Sequence, residues 1–326
     1  MANESSSDYE TYYVPEKSPM AICATIGLVL SISGAAMMLN DMTFGEPGVE
    51  TNSSTILMLG LFVFIATLFM WFRTTIIENR AGMNSAQLKH SYVIGMQWFI
   101  FSEVMFFFAF FGALFYVRNL AGPWLAGEGA GGAGNAAANI WGSFSYDWPL
   151  METPQQAVGG AGSQMMANNG EFAGPDKHLS FPGWSNVLHW LPIWNTIILL
   201  SSSVTVHIAH LGLKQNNRAK LNLWLGITVA LGLTFVYLQY LEYHEAYVEY
   251  GLKLTSGIYG TTFFLLTGFH GAHVCMGTIM LLIQWLRTTT KGHFTHDDAF
   301  GFEASSWYWH FVDVVWVGLF LFVYIL

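Results

Sequence analysis

Two carboxylates stand where this chain should least tolerate them. Glu103 lies inside SYVIGMQWFIFSEVMFFFAFFGALFY (91–116), and Asp313 inside WYWHFVDVVW (307–316). An ionised carboxylate in hydrocarbon costs on the order of 2.5–3.5 kcal/mol. Such a group is either a polar pin between helices or a carboxyl that handles protons, and both readings stand here. On a helical wheel Glu103 is surrounded by Phe99, Phe106, Phe107 and Phe110. Its side chain is therefore expected to be neutral or hydrogen-bonded to another helix. Asp313 follows His310 by three residues, close enough on a helix for the two to satisfy each other. Structural pairing is the first expectation there.

The eleven histidines raise the question of a haem or metal. His207 and His210 are three residues apart in one apolar stretch, and His270 and His273 in another. Two haems stacked in a bundle would need ligands roughly 20 Å apart along each helix, about 13 residues. A closed metal site needs three or four convergent ligands. The two pairs sit at different depths, so no metal or haem ligand is assigned and hydrogen bonding between helices is expected of these rings. No nucleophile elbow, phosphate loop or dinucleotide glycine motif appears, and no catalytic residue is assigned.

These residues need long apolar helices to hold them. The 26-residue stretch around Glu103 spans roughly 39 Å as a helix, more than the ~30 Å hydrocarbon core of a bilayer. On its wheel Gly95, Ser102, Ala109 and Ala113 fall on one line, which predicts close approach of a neighbouring helix. Seven such stretches are read at 20–39, 55–73, 91–116, 187–210, 221–241, 257–286 and 304–326. Composition agrees: 53% of residues are hydrophobic and 10% charged, against about 25% charged in soluble domains. Mean hydropathy is +0.41. The reading is a polytopic all-α membrane protein forming one domain over 1–326. A net charge of −9 without a basic patch excludes nucleic acid as a partner. Cys23 and Cys275 lie in apolar stretches and suggest neither a disulfide framework nor a cysteine metal site.

Orientation follows from the cations. With the N-terminus in the cytoplasm, Lys17, Arg73, Arg80, Lys89, Lys214, Arg218, Lys220, Arg287 and Lys291 lie inside, and only Arg118, Lys177 and Lys253 outside. That is a positive-inside pattern, with a cytoplasmic tail at 1–19 and the C-terminus outside. MANESSSDYE lacks the basic start of a signal peptide, so the first span is expected to be retained. Glu242, Glu245 and Glu249 read as a solvated acidic rim on the outer side. The 117–186 connection, rich in Gly, Ala, Asn and Pro, reads as an irregular outer loop, mobile over Gly127–Ala138. Trp71 and Arg73 are expected at headgroup depth, where indole and guanidinium groups hold lipid phosphates.

Several long phrases are distinctive. TGFHGAHV from Thr267, FGFEA from Phe300 and WYWHFVDVVW from Trp307 closely resemble subunit III of haem–copper cytochrome c oxidases. The segments around Glu103, Asn195–His210 and Leu238–Ala246 agree. The resemblance covers nearly everything except Val117–Asn186, a loop much longer than in the mitochondrial members, which suggests a bacterial inner membrane. It implies seven transmembrane helices, with a two-helix bundle (20–73) and a five-helix bundle (91–326) separated by a lipid-binding cleft. It also implies a subunit with no redox centre of its own, the haems and copper belonging to subunits I and II. Such a subunit keeps the complex stable, binds phospholipid and supports proton uptake by the catalytic subunit in aerobic electron transport. Cytochrome c is then the substrate of the whole proton-pumping complex. Glu103 matches the family's buried glutamate, and Trp71 and Arg73 match positions associated with lipid. The alternatives are subunit III of a quinol oxidase, whose members commonly lack the first two spans, and an independent proton channel using Glu103 and Asp313.

Overall fold

The computed structural model describes residues 17–45, 51–129, 140–142, 144–150, 154–158, 181–254, 256–295 and 298–326. Seven helices in it are long and apolar enough to cross a membrane. They are α1 (Met20–Phe44), α2 (Ser53–Arg80), α3 (Ala86–Tyr116), α4 (Leu191–Lys214), α5 (Arg218–Val248), α6 (Gly257–Lys291) and α7 (Phe300–Leu319). α3 continues through a π-helical turn at Val117–Ala121 into a short helix at Gly122–Leu125, and α7 ends in a π-helical turn at Phe320–Ile325. The expected all-α membrane architecture is observed.

The helices outrun the apolar stretches that announced them. α2 was expected to stop at Arg73 and runs on to Arg80; α4 was expected to stop at His210 and reaches Lys214. Hydropathy marks where water begins, but backbone hydrogen bonding does not stop there, and long cationic side chains reach the interface from inside a helix. The ends have local causes. Asn217 caps α5 by accepting from the Lys220 amide at 3.0 Å. Gly292 ends α6 in the left-handed conformation, φ 59°. Pro192 opens α4 in the first turn, where its missing N–H has no helical partner to lose.

The chain divides into two compact units, Met1–Ile94 and Gly95–Leu326. In the first, α1 and α2 pack as a hairpin, and glycine makes the contact possible. A Cβ on Gly27 would lie 2.7 Å from the Phe64 amide nitrogen, and one on Gly34 would strike the Leu57 backbone. The two positions are seven residues apart, the small-residue spacing that lets backbones approach in lipid.

In the second unit α4 packs on α5, α5 on α6, α6 on α7 and α7 back on α4. The centre of this ring is aromatic: Trp309 and Trp316 of α7 are fully buried with Phe235 of α5. Trp309 lies over Gly277, where a Cβ would come within 2.8 Å of its ring. α3 meets the ring through phenylalanines, Phe106 edge-on to Phe269 at 5.0 Å and Phe107 against Phe311 at 6.1 Å. The Gly95, Ser102, Ala109 and Ala113 line of α3 is exposed, and nothing lies within 4 Å of a Cβ on Gly95. Towards α6 and α7 the helix therefore turns bulk, not small residues. Of the outer loop, residues 130–139 lie outside the described residues, and with them most of the Gly127–Ala138 segment expected to be mobile.

Candidate functional site

Glu103 meets another helix. Its Oε2 is 3.0 Å from Nε2 of His273 on α6, with the side chains 23% and 14% exposed. The opposite ring nitrogen, Nδ1, is 2.6 Å from the Phe269 carbonyl oxygen. A carbonyl only accepts, so Nδ1 carries a hydrogen. The contact between Nε2 and Oε2 then needs one further proton, on the carboxyl or on the ring. In either form the pair as a whole is neutral and holds a single transferable proton. It is walled by Phe107, 4.9 Å from the imidazole, and by Phe106, Tyr308 and Phe311. Of the two expectations for Glu103, hydrogen bonding to another helix is the one observed. Both residues lie near the middle of their helices, and that shared depth was the signal in the sequence that could have joined them.

Asp313 is 4% exposed, and neither of its oxygens has a hydrogen-bond partner among the described residues. The expected pairing with His310 is only partial. Asp313 Oδ2 stands 3.7 Å from His310 Nδ1, too long for a hydrogen bond. That nitrogen is instead 2.9 Å from Ser203 Oγ on α4. The i, i+3 spacing brought the two groups into range, but the neighbouring helix offered the better-aligned partner.

The remaining rings mostly join helices. His270 reaches the Val312 carbonyl at 3.2 Å and packs 5.0 Å from Trp316. His210 Nε2 is 3.2 Å from Glu303 Oε1. Trp309 donates to Ser202 Oγ at 2.9 Å and Trp316 to Thr196 Oγ1 at 3.0 Å. The α4/α7 seam is thus laced with side-chain hydrogen bonds along its length. Among the described residues no three His, Cys, Asp or Glu side chains gather where a metal ion could be held.

Glu242 corrects the picture of an acidic rim. It is 2% exposed and accepts from Tyr324 Oη at 2.6 Å. Gln239 and Asn195, both buried, bond each other beside it. The buried face of α5 runs Phe235, Gln239, Glu242, Ala246, and the C-terminal turn closes over it. Glu245 takes a bond from Tyr250 at 2.6 Å; burial, and that carboxylate, push the Tyr250 phenol well above its usual range. Only Glu249 of the three acids is exposed as expected. Trp71 and Arg73 lie on exposed faces of α2, Trp71 at 44%, and Arg73 has no polar partner among the described residues.

Comparison with known proteins matches the sequence to a family. The family model for cytochrome c oxidase subunit III fits residues 10–128 and 186–326, leaving out most of the long loop. The chain is 33% identical to cytochrome c oxidase subunit 3 of Hippopotamus amphibius over 316 residues, and 34% identical to that of Loxodonta africana over 314. Each alignment covers 96% of both chains. The family match over most of the chain and the two relatives therefore place this multi-pass membrane chain in the cytochrome c oxidase subunit III family.

Proposed function

We propose that the chain serves a proton-pumping cytochrome c oxidase as its non-redox third subunit, retaining phospholipid and supporting proton uptake by the catalytic subunit. The haems and copper reside in subunits I and II, and reduced cytochrome c is the substrate of the complex. The N-terminus faces the cytoplasm and the C-terminus the periplasm of a bacterial inner membrane, as the distribution of Lys and Arg indicates. The observation that carries the reading is the Glu103–His273 couple. A pair that is neutral as a whole, holds a proton and is enclosed by aromatic rings suits a subunit that works beside a proton path.

Arg73, free on an exposed face of α2, is the group assigned to a lipid phosphate, with Trp71 two residues before it in the same turn. Asp313 is assigned a supporting role as the second buried carboxyl.

The test is purification of the intact complex through this chain. Oxidase subunits should co-purify, and oxygen consumption should depend on reduced cytochrome c. Arg73→Ala should lower the phospholipid retained and shorten the active lifetime during turnover. Purification without oxidase subunits, or a full complex whose lipid content and lifetime ignore Arg73→Ala, would overturn the corresponding part of the proposal.

A further inference from the structure

Most of the surface of α4 and α7 is what lipid would favour: Val204 is 60% exposed, Val314 71% and Val317 45%. One stripe between the two helices departs from this. On α4, Ser203, His207 and His210 follow one another at i, i+4 and i+7, a single helical face. His207 is exposed, and His210 shows 21% of its side chain. Beside them on α7, Glu303 shows 34% of its side chain and His310 39%. His310 lies about 15 Å along α7 from Phe300, deep inside the span. Its Nδ1 is taken by Ser203 at 2.9 Å and faces Asp313 at 3.7 Å. Its Nε2 is the open nitrogen of the ring, bonded by no described residue.

From this stripe we infer that the α4/α7 face is where another membrane-spanning helix of the complex docks, presenting a hydroxyl, amide or carboxyl group to His310 Nε2. The inference rests on the oxidase-subunit reading and adds to it the surface used. Acyl chains have no donor or acceptor to offer, and an imidazole held as deep as that of His310 turns to protein or water and away from lipid. A transmembrane helix with a polar side chain at matching depth supplies what lipid cannot. His210 and Glu303 answer each other already. His310 does not: one nitrogen is anchored within the chain and the other points out of it. Val204 follows Ser203 and borders the stripe on its exposed side, within reach of a helix docked there.

The experiment uses the whole purified complex. A photoreactive side chain is placed by Val204→p-benzoylphenylalanine, at a position exposed enough to leave the fold intact. Irradiation should attach this chain to a membrane-spanning segment of another subunit. Adducts with lipid alone, or with a second copy of this chain, would overturn the inference. Independently, Ser203→Ala combined with His310→Leu should reduce the fraction of the chain retained in the complex under detergent titration by roughly threefold, the size of an average interhelical polar contact. Tyr237→Leu, at a 60%-exposed position on α5, should leave retention unchanged. Equal loss in both variants would overturn the assignment. If oxidase subunits fail to co-purify with the unmodified chain, the functional reading falls and this inference with it. If they co-purify and the crosslink goes elsewhere, only the choice of face is wrong.

Discussion

The two units of the chain solve the problem of helix association in lipid by opposite means. In Met1–Ile94, α1 and α2 touch backbone to backbone, and the contact depends on what is missing, the side chains of Gly27 and Gly34. In Gly95–Leu326 the contact depends on what is present, the indoles of Trp309 and Trp316 and the hydroxyls that bond them. Within a bilayer there is little hydrophobic drive between helices, so van der Waals fit and polar contacts carry association. Among the described residues, the first solution leaves no buried ionisable group in its hairpin. The second holds Glu103, Asp313 and Glu242 largely or wholly out of solvent. A unit of aromatic walls and hydrogen-bonded rungs can house a proton-bearing group; a glycine-packed hairpin offers its exposed faces instead.

Substitutions can break this contrast, and the largest effect belongs to the aromatic centre. Trp309→Ala removes a side chain with no exposed surface from contact with Gly232 and Gly277. It should cost about 3–5 kcal/mol. Thermal dissociation of the chain from its complex is the measurement, and a midpoint within a degree or two of the parent would mean that the second unit does not depend on this ring. Next comes Gly34→Leu, which drives a side chain into the α2 backbone. Overpacking of this kind costs about 1–3 kcal/mol. The same substitution at Gly95, where nothing lies within 4 Å, should cost little. Equal effects at the two glycines would remove the argument from close approach.

Glu103 separates pairing from packing. Glu103→Leu leaves His273 Nε2 without its partner, and the loss should be about 0.6–1.7 kcal/mol, the range for interhelical bonds in membranes. Glu103→Gln keeps a hydrogen bond while removing the acid, so stability should largely return. Any loss of turnover that persists in Glu103→Gln then reports on the proton and not on the fold. Recovery of both would make the residue a structural pin.

Much of the fold was readable from the chain because a bilayer imposes a length. Seven apolar stretches became seven helices, and the errors lie at ends such as Arg73 and Lys214, where hydropathy stops before the backbone bonds do. The site was half readable. Glu103 stood out because a carboxyl among phenylalanines has no bland explanation, but its partner depended on how α3 and α6 are rotated about their axes, which spacing within one helix does not fix. Glu242 was missed for a different reason. With Glu245 and Glu249 it imitates a solvated cluster, and only the shared face with Phe235 and Ala246 marks it as buried.

The smallest expected effect is also the finest probe of the second unit. Ser202 Oγ donates to the Leu199 carbonyl at 2.6 Å and accepts from Trp309 Nε1 at 2.9 Å. Ser202→Ala removes one rung and leaves the indole in place, and Trp309→Phe removes the donor and some bulk. A double-mutant cycle isolates the rung from the packing. If aromatic fit dominates, the coupling should be about 0.6 kcal/mol, the membrane average, a small fraction of the loss in Trp309→Ala. A coupling of about 2 kcal/mol or more would reverse that order. It would make the hydroxyl ladder, and not the indoles, the device that holds α4 to α7.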